Sequence, residues 1–327
     1  MKLLELDNLQ VSIGPVQAVR DVSLSLAPGE CRALVGESGC GKSVTAMSLL
    51  NLMPPAAQTN AARWDFAGRD MRQLSEREWR RIRGNEIAMI FQNPMTALDP
   101  TQTIGSQIAE PLRIHKGLSK REARMRAIAL LERLAIANPA QRAAQYPFEF
   151  SGGMLQRAMI AMAVVCEPQL LIADEPTTAL DVTVQAEVLS ILRELRESSG
   201  TAMLFITHDL GVVAEIADSV SVMYAGQTVE TGALQNVFSR QAHPYTQALK
   251  RAVPNMENPH RLEAIAGTPP DLRHPPKGCG FAARCCERMA ICDQLPPNFP
   301  CESTAAHQAR CWLWHPEHPA RWRESEQ

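Results

Sequence analysis

Apolar and polar positions follow two different periods along residues 1–240, and their alternation predicts an α/β fold. Short, mostly apolar runs at residues 31–35, 170–173 and 203–206 are typical of buried strands. Helical spacing covers residues 42–53 and 119–136. The second of these helices starts with a capping box of Ser119 and Glu122, and its Ile128, Leu131 and Leu134 recur on one face. Two β-branched runs around residues 224–227 predict a hairpin. Strands alternating with helices indicate a largely parallel sheet.

The pattern changes near residue 240. Six of the nine cysteines and twelve of the 23 prolines follow that point, and Pro-Pro pairs interrupt long helices or strands. We therefore expect two parts, a regular domain over residues 1–240 and a loop-rich C-terminal extension over residues 241–327, hereafter the tail.

Composition narrows the functional classes. The chain has 327 residues, 45% of them hydrophobic, and a formal net charge of −2. This charge argues against a nucleic-acid-binding surface spread over the whole protein, although not against a local basic patch, and we expect no nucleic-acid partner. The longest apolar run has nine residues, at 158–166, whereas a membrane span needs about 20. The N-terminus carries acids where a signal peptide is apolar, so we expect neither secretion nor a membrane-spanning role.

A glycine-rich segment between the first predicted strand and its helix fits the spacing G-x-x-x-x-G-K-S. Such a loop curls so that successive N–H groups point at one anion, the lysine reaches the β and γ phosphates of a nucleotide, and the serine can ligate Mg²⁺. An ordinary glycine-rich turn is the alternative, and kinases, GTPases, helicases and transport ATPases share the motif. The segment, hereafter the phosphate loop, consists of Gly36, Glu37, Ser38, Gly39, Cys40, Gly41, Lys42 and Ser43.

Two acids end the apolar run at residues 170–173. Asp174 emerges where open α/β sheets bind ligands and can hold Mg²⁺, while Glu175 is placed to deprotonate an attacking water. No Asn-Lys-x-Asp sequence occurs, so a GTPase is not expected.

Further motifs resemble those of the ATP-binding-cassette (ABC) ATPases over about residues 4–232. Residues 150–156 read Phe-Ser-Gly-Gly-Met-Leu-Gln, close to the family signature Leu-Ser-Gly-Gly-x-x-Gln. Gln92 matches the Q-loop glutamine, Ala179-Leu180-Asp181 the D-loop, and His208 the switch histidine. The resemblance implies a P-loop NTPase cassette with a RecA-like core, an antiparallel β subdomain and a helical signature subdomain at about residues 95–165.

The resemblance also implies a mechanism. Two cassettes pair head to tail around two ATP molecules, each held by one phosphate loop and by the partner's Ser151, Gly152 and Gly153. Gln92 would contact Mg²⁺ and the attacking water, together with Ser43 and Asp174 as metal ligands. Glu175 would act as the base and His208 would bond the γ-phosphate, while Asp181 would link the two sites.

Two positions depart from the family pattern. Phe150 replaces leucine, an apolar change that we expect to pack inward. Ile13 occupies the position where an aromatic residue usually stacks on adenine, so the stacking contribution of about 1 kcal/mol is missing. We expect modest ATP affinity as a result.

Residues 91–100 and 243–246 look like the peptide, nickel and opine importer branch, of the dipeptide and oligopeptide D-subunit type. This implies two transmembrane permease subunits, a second ATPase that is identical or homologous, an extracytoplasmic binding protein, and a peripheral position on the cytoplasmic face of the inner membrane. Import of nickel, opines or oligosaccharides, a soluble ABC ATPase acting on ribosomes or DNA, and a redox sensor remain alternatives.

Four tail cysteines follow the spacing Cys279-x5-Cys285-x6-Cys292-x18-Cys311. Disulfides are not expected in a reducing compartment, and four thiolates can hold a [4Fe–4S] cluster or Zn²⁺. Members of the resembled branch with this spacing favour the iron–sulfur cluster, with Zn²⁺ and free thiols as alternatives.

Overall fold

The computed structural model describes residues 2–178, 180–252, 264–301 and 306–318. Its contacts divide the chain into two compact units. Of the described residues, the first unit contains those within Ala27–Glu30 and Gln73–Ile206, and the second contains those within Lys2–Leu26, Cys31–Arg72 and Thr207–Gln327.

The strands are short apart from the first two. They are β1 (Leu4–Ile13), β2 (Val16–Leu26), β3 (Cys31–Val35), β4 (Ala57–Asn60), β5 (Arg63–Phe66), β6 (Arg69–Asp70), β7 (Ile87–Ile90), β8 (Leu170–Asp174), β9 (Ala202–Thr207), β10 (Ser219–Tyr224), β11 (Gln227–Ala233), β12 (Phe299–Pro300) and β13 (Gln308–Ala309).

The α-helices are α1 (Lys42–Ser48), α2 (Glu76–Ile82), α3 (Pro94–Ala97), α4 (Ile104–His115), α5 (Lys120–Arg133), α6 (Pro139–Arg142), α7 (Gly152–Val164), α8 (Val182–Ser199), α9 (Leu210–Ile216), α10 (Leu234–Ser239) and α11 (Pro244–Arg251). Single turns of 3₁₀-helix lie at Met71–Gln73, Pro147–Glu149, Ala282–Arg284, Ala290–Asp293 and Trp312–Trp314.

The first unit contains a parallel arrangement of β7, β8 and β9. Ile90 pairs with Ala173, and Asp174 pairs with Ile206. All five residues of β8 are buried, which is what an unbroken apolar run predicts for a central parallel strand. The helices α3 to α7 also belong to this unit.

The second unit contains strands in the order β6-β5-β1-β2-β11-β10-β3. The first strands of this order pair antiparallel, whereas β10 pairs parallel with β3. The predicted hairpin is confirmed: β10 and β11 are antiparallel and joined by Ala225 and Gly226, which both have positive φ as a tight hairpin turn requires.

The described part of the tail packs within the second unit. Its strand β13 pairs with β11, and Arg310 forms a 2.7 Å ion pair with Asp21 of β2. The buried carboxylate of Glu230 accepts the backbone N–H of His243 at 2.8 Å and contacts Nε2 of His307 at 2.9 Å. These contacts connect both ends of the described tail to the sheet.

Two predicted helices differ in extent from the structure. α1 stops at Ser48 instead of continuing to residue 53, because Asn51 adopts a left-handed φ of 49° and the Leu52 N–H returns to the carbonyl of Met47. α5 covers Lys120–Arg133 instead of extending to residue 136, and Leu131 of its predicted apolar face is buried together with Ala123 and Ala127.

The capping box of α5 is confirmed. Ser119 Oγ accepts the N–H of Glu122, and the Glu122 carboxylate accepts the N–H of Ser119. Ile128 is half-buried, and Leu134 is buried at the C-cap.

Candidate functional site

The phosphate loop joins β3 to α1 in the second unit, and two of its glycines lie where no side chain fits. A Cβ on Gly36 would come 2.2 Å from the carbonyl oxygen of Met223. Gly41 has a φ of 104°, and a Cβ there would lie 2.5 Å from the carbonyl oxygen of Ala18. The close approach of this loop to its neighbouring strands therefore requires glycine at both ends.

Lys42 begins α1 and is 5% exposed. Its Nζ donates to the carbonyl oxygens of Gly36 at 2.8 Å and Glu37 at 3.1 Å, so the ammonium is held within the curl of the loop. Ser43 is exposed beside it, as are Ser38 and Gly39. A cation and exposed backbone within one tight curl can bind a phosphate group.

Cys40 differs from these exposed residues of the loop. It is buried, and this burial raises the pKa of its thiol. Cys40 is therefore a small apolar filler, as are the buried Cys31 and Cys166.

Gln92 and Glu175 meet in the first unit. Nε2 of Gln92 donates to Oε2 of Glu175 at 3.0 Å, and the hydroxyl of Thr178 donates to the same oxygen at 2.9 Å. Glu175 has a left-handed φ of 47° directly after β8. Asp174, the last residue of β8, is 4% exposed. The arrangement places one buried and one partly exposed carboxylate side by side at the carboxyl end of a parallel strand.

The signature segment caps α7. Ser151 is the N-cap, and its hydroxyl accepts the N–H of Met154 at 3.4 Å. Gly152 lies in the first turn and is exposed, with open space where a Cβ would be. Gly153 is half-exposed. Phe150 is 8% exposed and packs inward as predicted.

The remaining predicted residues lie at the ends of elements. Asp181 is the N-cap of α8 and accepts the N–H of Val184 at 3.0 Å; Ala179 of the same motif lies outside the described residues. His208 is exposed immediately after β9, and Ile13 is half-buried at the end of β1. Within single units, the structure brings Gln92 to Glu175 and assembles the phosphate loop.

The four tail cysteines of the predicted cluster line one small pocket, together with His243 and Phe281. Burial raises the pKa of Cys285 to about 11 and that of Cys311 to about 12, with the neighbouring cysteines adding to both shifts. Within the described ranges, no three or more Cys, His, Asp or Glu side chains are arranged to hold a metal ion.

Sequence reasoning missed a group of residues around Glu37. The hydroxyl of Tyr245 accepts the Glu37 N–H at 2.8 Å, and Arg284 of the tail forms an ion pair with the Glu37 carboxylate at 2.7 Å. Arg284 lies between Cys279 and Cys285 in the sequence, and this position next to the predicted cluster was the only feature that could have indicated its role. A contact across 247 positions cannot be read from local pattern.

In the described part of the chain, no helix is both long enough and apolar enough to cross a bilayer.

Two family models match the chain. The model for ABC transporter matches residues 19–178, and the model for Oligopeptide/dipeptide transporter, C-terminal region matches residues 229–292. The second match begins within β11 and extends through the tail to residue 292.

Two curated relatives are similar along almost their whole length. The chain is 50% identical over 318 residues to the dipeptide transport ATP-binding protein DppD of Bacillus subtilis (strain 168), with 95% of each chain covered. It is 49% identical over 326 residues to the oligopeptide transport ATP-binding protein OppD of the same organism, with 97% of this chain and 90% of the relative covered.

The fold is also that of solved ATP-binding cassettes. MJ0796, a dimer in a post-hydrolysis state bound to ADP and Pi, matches with a TM-score of 0.63 and 26% identity, covering 71% of this chain and 98% of MJ0796. The cbiO1 subunit from Clostridium perfringens matches with a TM-score of 0.62 at 24% identity, covering 73% of this chain and 92% of that one.

Proposed function

The chain belongs to the ABC transporter ATP-binding proteins of the dipeptide and oligopeptide group, and from this membership we infer that it is the ATPase that energises a peptide importer. The observation that carries this inference is the 50% identity to a dipeptide transport protein over 95% of both chains. The match to the C-terminal region of peptide transporters supports peptide over nickel, opine or oligosaccharide cargo.

The phosphate loop is our proposed site for the ATP phosphates. Its backbone N–H groups would bind the phosphate oxygens, and Lys42 would exchange its two loop carbonyls for the β and γ phosphates. Ile13 would contact adenine without ring stacking. The tight packing of Gly36 and Gly41 supports a loop that is preformed before ATP binds.

Glu175 is our proposed general base. Its carboxylate is oriented by Gln92 and Thr178, and a carboxylate held in this way can accept a proton from water that attacks the γ-phosphate. His208 would donate a hydrogen bond to the γ-phosphate. Positioning and charge neutralisation supply most of the rate in phosphoryl transfer, so these few groups suffice.

Mg²⁺ is expected with ATP in an ABC ATPase. Ser43, Gln92 and Asp174 offer the oxygen ligands that this ion prefers. When bound, the ion would neutralise charge on the phosphates.

A head-to-tail pair of cassettes is the assembly that we propose. The dimeric state of MJ0796 supports it, as does the exposure of Ser151, Gly152 and Asp181, which would face the partner's nucleotide. The partner ATPase, two permease subunits and an extracytoplasmic binding protein would complete the importer on the cytoplasmic face of the inner membrane. In this scheme residues 1–240 form the cassette, residues 95–165 its helical subdomain, and residues 241–327 the extension.

A [4Fe–4S] cluster held by Cys279, Cys285, Cys292 and Cys311 is our proposal for the tail, with Zn²⁺ as the alternative. Convergence of these thiols on one pocket and the soft thiolate donor set support it. Bound metal would stabilise a segment whose described residues form little regular secondary structure. Anaerobic purification should then give protein with iron and sulfide, and Cys292→Ser should lose both.

The exposed Cys286 provides the matched control for this test, because Cys286→Ser should keep the iron. Wild-type protein that is colourless and free of iron and sulfide would reject the cluster, and stoichiometric zinc would support the alternative.

The proposed transport function can be tested by pull-down from detergent-solubilised membranes with mass identification. We expect two permease polypeptides and a cassette ATPase to be recovered, and ATP hydrolysis by the complex to rise with a peptide-loaded binding protein. Stimulation by nickel in place of peptide would reject the cargo class. Recovery with ribosomes or DNA in place of permeases would reject the transport role.

A further inference from the structure

Arg284 of the tail is a buried arginine, and each of the three nitrogens of its guanidinium donates a hydrogen bond. Its side chain is 5% exposed. Nη1 donates to Oε2 of Glu37 at 2.7 Å, and Nη2 donates to Oε1 at 3.0 Å, which makes the pair bidentate. Further bonds go to the hydroxyl of Tyr224 at 3.0 Å and to the carbonyl oxygens of Ile265 and Ala266 at 3.1 and 2.8 Å.

Glu37 is the second residue of the phosphate loop, and it is held at three points. The Arg284 fork holds its carboxylate, the Tyr245 hydroxyl accepts its N–H at 2.8 Å, and its carbonyl accepts Nζ of Lys42 at 3.1 Å. Two of these three restraints come from residues beyond position 240. The beginning of the loop is therefore fixed by the tail as well as by the loop itself.

Aromatic rings enclose this contact. The ring centroids of Tyr224 and Tyr245 lie 4.6 Å apart, and Phe281 lies 5.2 Å from the first and 5.4 Å from the second. The guanidinium carbon of Arg284 is 5.7 Å from the Tyr224 ring centroid and 5.8 Å from that of Phe281. Limited access to water strengthens the ion pair relative to an exposed one.

The negative charge of Glu37 opposes the binding of phosphate groups at the loop, and the positive charge of Arg284 compensates for it. A carboxylate within a loop that binds a triphosphate repels the ligand, and the repulsion is poorly screened where water is excluded. The carboxylate and the guanidinium together have no net charge, and the bidentate contact holds the Glu37 side chain in one position. The pair both neutralises and positions the loop.

We propose that Arg284 is a positioning residue for ATP binding, which acts through Glu37 to neutralise the entry of the phosphate loop and hold it in its binding conformation. The tail then contributes to nucleotide affinity within its own chain. This inference rests on ATP binding at the phosphate loop.

The test compares ATP affinities of the full-length chain by equilibrium binding of ATP with Mg²⁺. Arg284→Met should weaken binding about tenfold, because it leaves an uncompensated carboxylate in the loop. Adding Glu37→Gln to Arg284→Met should recover most of that loss, since it removes the uncompensated charge. Loss of the hydrogen-bonded fork alone, without an effect of the Glu37 charge, predicts no such recovery.

Arg288→Met is the matched control. Arg288 forms an exposed ion pair with Asp293 in the same tail, 3.1 Å long, and no hydrogen bond joins it to the loop among the contacts described. Its removal should leave ATP affinity unchanged. In the assembled ATPase, Arg284→Met should raise KM for ATP about tenfold while kcat at saturating ATP changes less than about twofold.

Arg284→Lys is the variant to measure if Arg284→Met does not fold. Lysine keeps the charge and loses the fork, so it should weaken binding about threefold. Wild-type affinity in a folded Arg284→Met or Arg284→Lys protein, or a double variant no better than Arg284→Met, would overturn the inference. Wild-type protein that binds no ATP would instead reject the proposed function, so the two failures are distinguishable.

Discussion

Nε2 of Gln92 donates a 3.0 Å hydrogen bond to Oε2 of Glu175, although 83 positions separate the two residues. The contact joins Gln92, two residues after β7, to Glu175, directly after β8. The two strands are parallel and adjacent, so their carboxyl ends meet at one edge of the sheet. A glutamine and a carboxylate so arranged can orient one water molecule between them and a phosphate. The proposed base is thus held by a residue that follows a different strand.

Replacing this carboxylate should separate binding from hydrolysis. Glu175→Gln keeps the size and the hydrogen-bonding capacity of the side chain but cannot accept the proton, so kcat should fall by about 10²- to 10⁴-fold while ATP binding persists. ATP hydrolysis and the mass of the ATP-bound species in solution measure the two effects. We expect a stable cassette dimer, and normal turnover would remove Glu175 as the base.

Thr178 should influence hydrolysis through Glu175. Its hydroxyl donates to the carboxylate oxygen that Gln92 also contacts, at 2.9 Å. Thr178→Val removes one hydrogen bond of about 1 kcal/mol, so kcat should fall about fivefold with little change in KM for ATP. Thr178→Ser keeps the hydroxyl and is the control. Equal kcat in Thr178→Val and wild type would show that the bond does not orient the base.

An aromatic residue at position 13 should improve nucleotide affinity. Ile13 ends β1 and is half-buried, which leaves part of its surface available for contact with a base. Ile13→Tyr should add about 1 kcal/mol of stacking, or about fivefold tighter ATP binding. Calorimetric titration with ATP and Mg²⁺ measures the change. Unaltered affinity would mean that adenine does not contact this residue.

The buried His243 should make stability depend on pH. Burial lowers its pKa from 6.5 to about 4, although the neighbouring Glu230 carboxylate acts in the opposite direction. Between these values the unfolded chain binds a proton that the folded chain does not, so stability is complete above pH 6.5 and falls as the pH decreases toward 4. Near pH 5 the loss due to His243 should be about 2 kcal/mol.

His243→Asn isolates this contribution. Nδ1 of His243 accepts the N–H of Tyr245 at 3.0 Å, and the asparagine oxygen can replace that acceptor without titrating. Urea unfolding at pH 7.5 and pH 5 should show a smaller loss of stability in the variant than in wild type. Identical losses would contradict neutral burial of the imidazole.

Strand positions and the phosphate loop were predictable because they depend on local pattern. Residues 31–35, 170–173 and 203–206 are too apolar to remain exposed, and all three runs lie in buried strands. The curled conformation of the phosphate loop was predictable for the same reason, since the spacing of the glycines at 36 and 41 defines it. Helix ends were less predictable, because α1 stops where Asn51 adopts a left-handed conformation, and nothing in the apolar spacing requires that stop.

Sequence alone determined the chemical groups of this protein: a cation and glycines in a loop, adjacent acids after a buried strand, and four thiols near the C-terminus. Those features rest on side-chain type and short spacing, which folding does not alter. Only the tertiary structure decided that Gln92 meets Glu175 and that Arg284 neutralises Glu37, because pairing across 83 and 247 positions depends on how strands and tail pack. Packing is a property of the whole sequence, and no local window contains it.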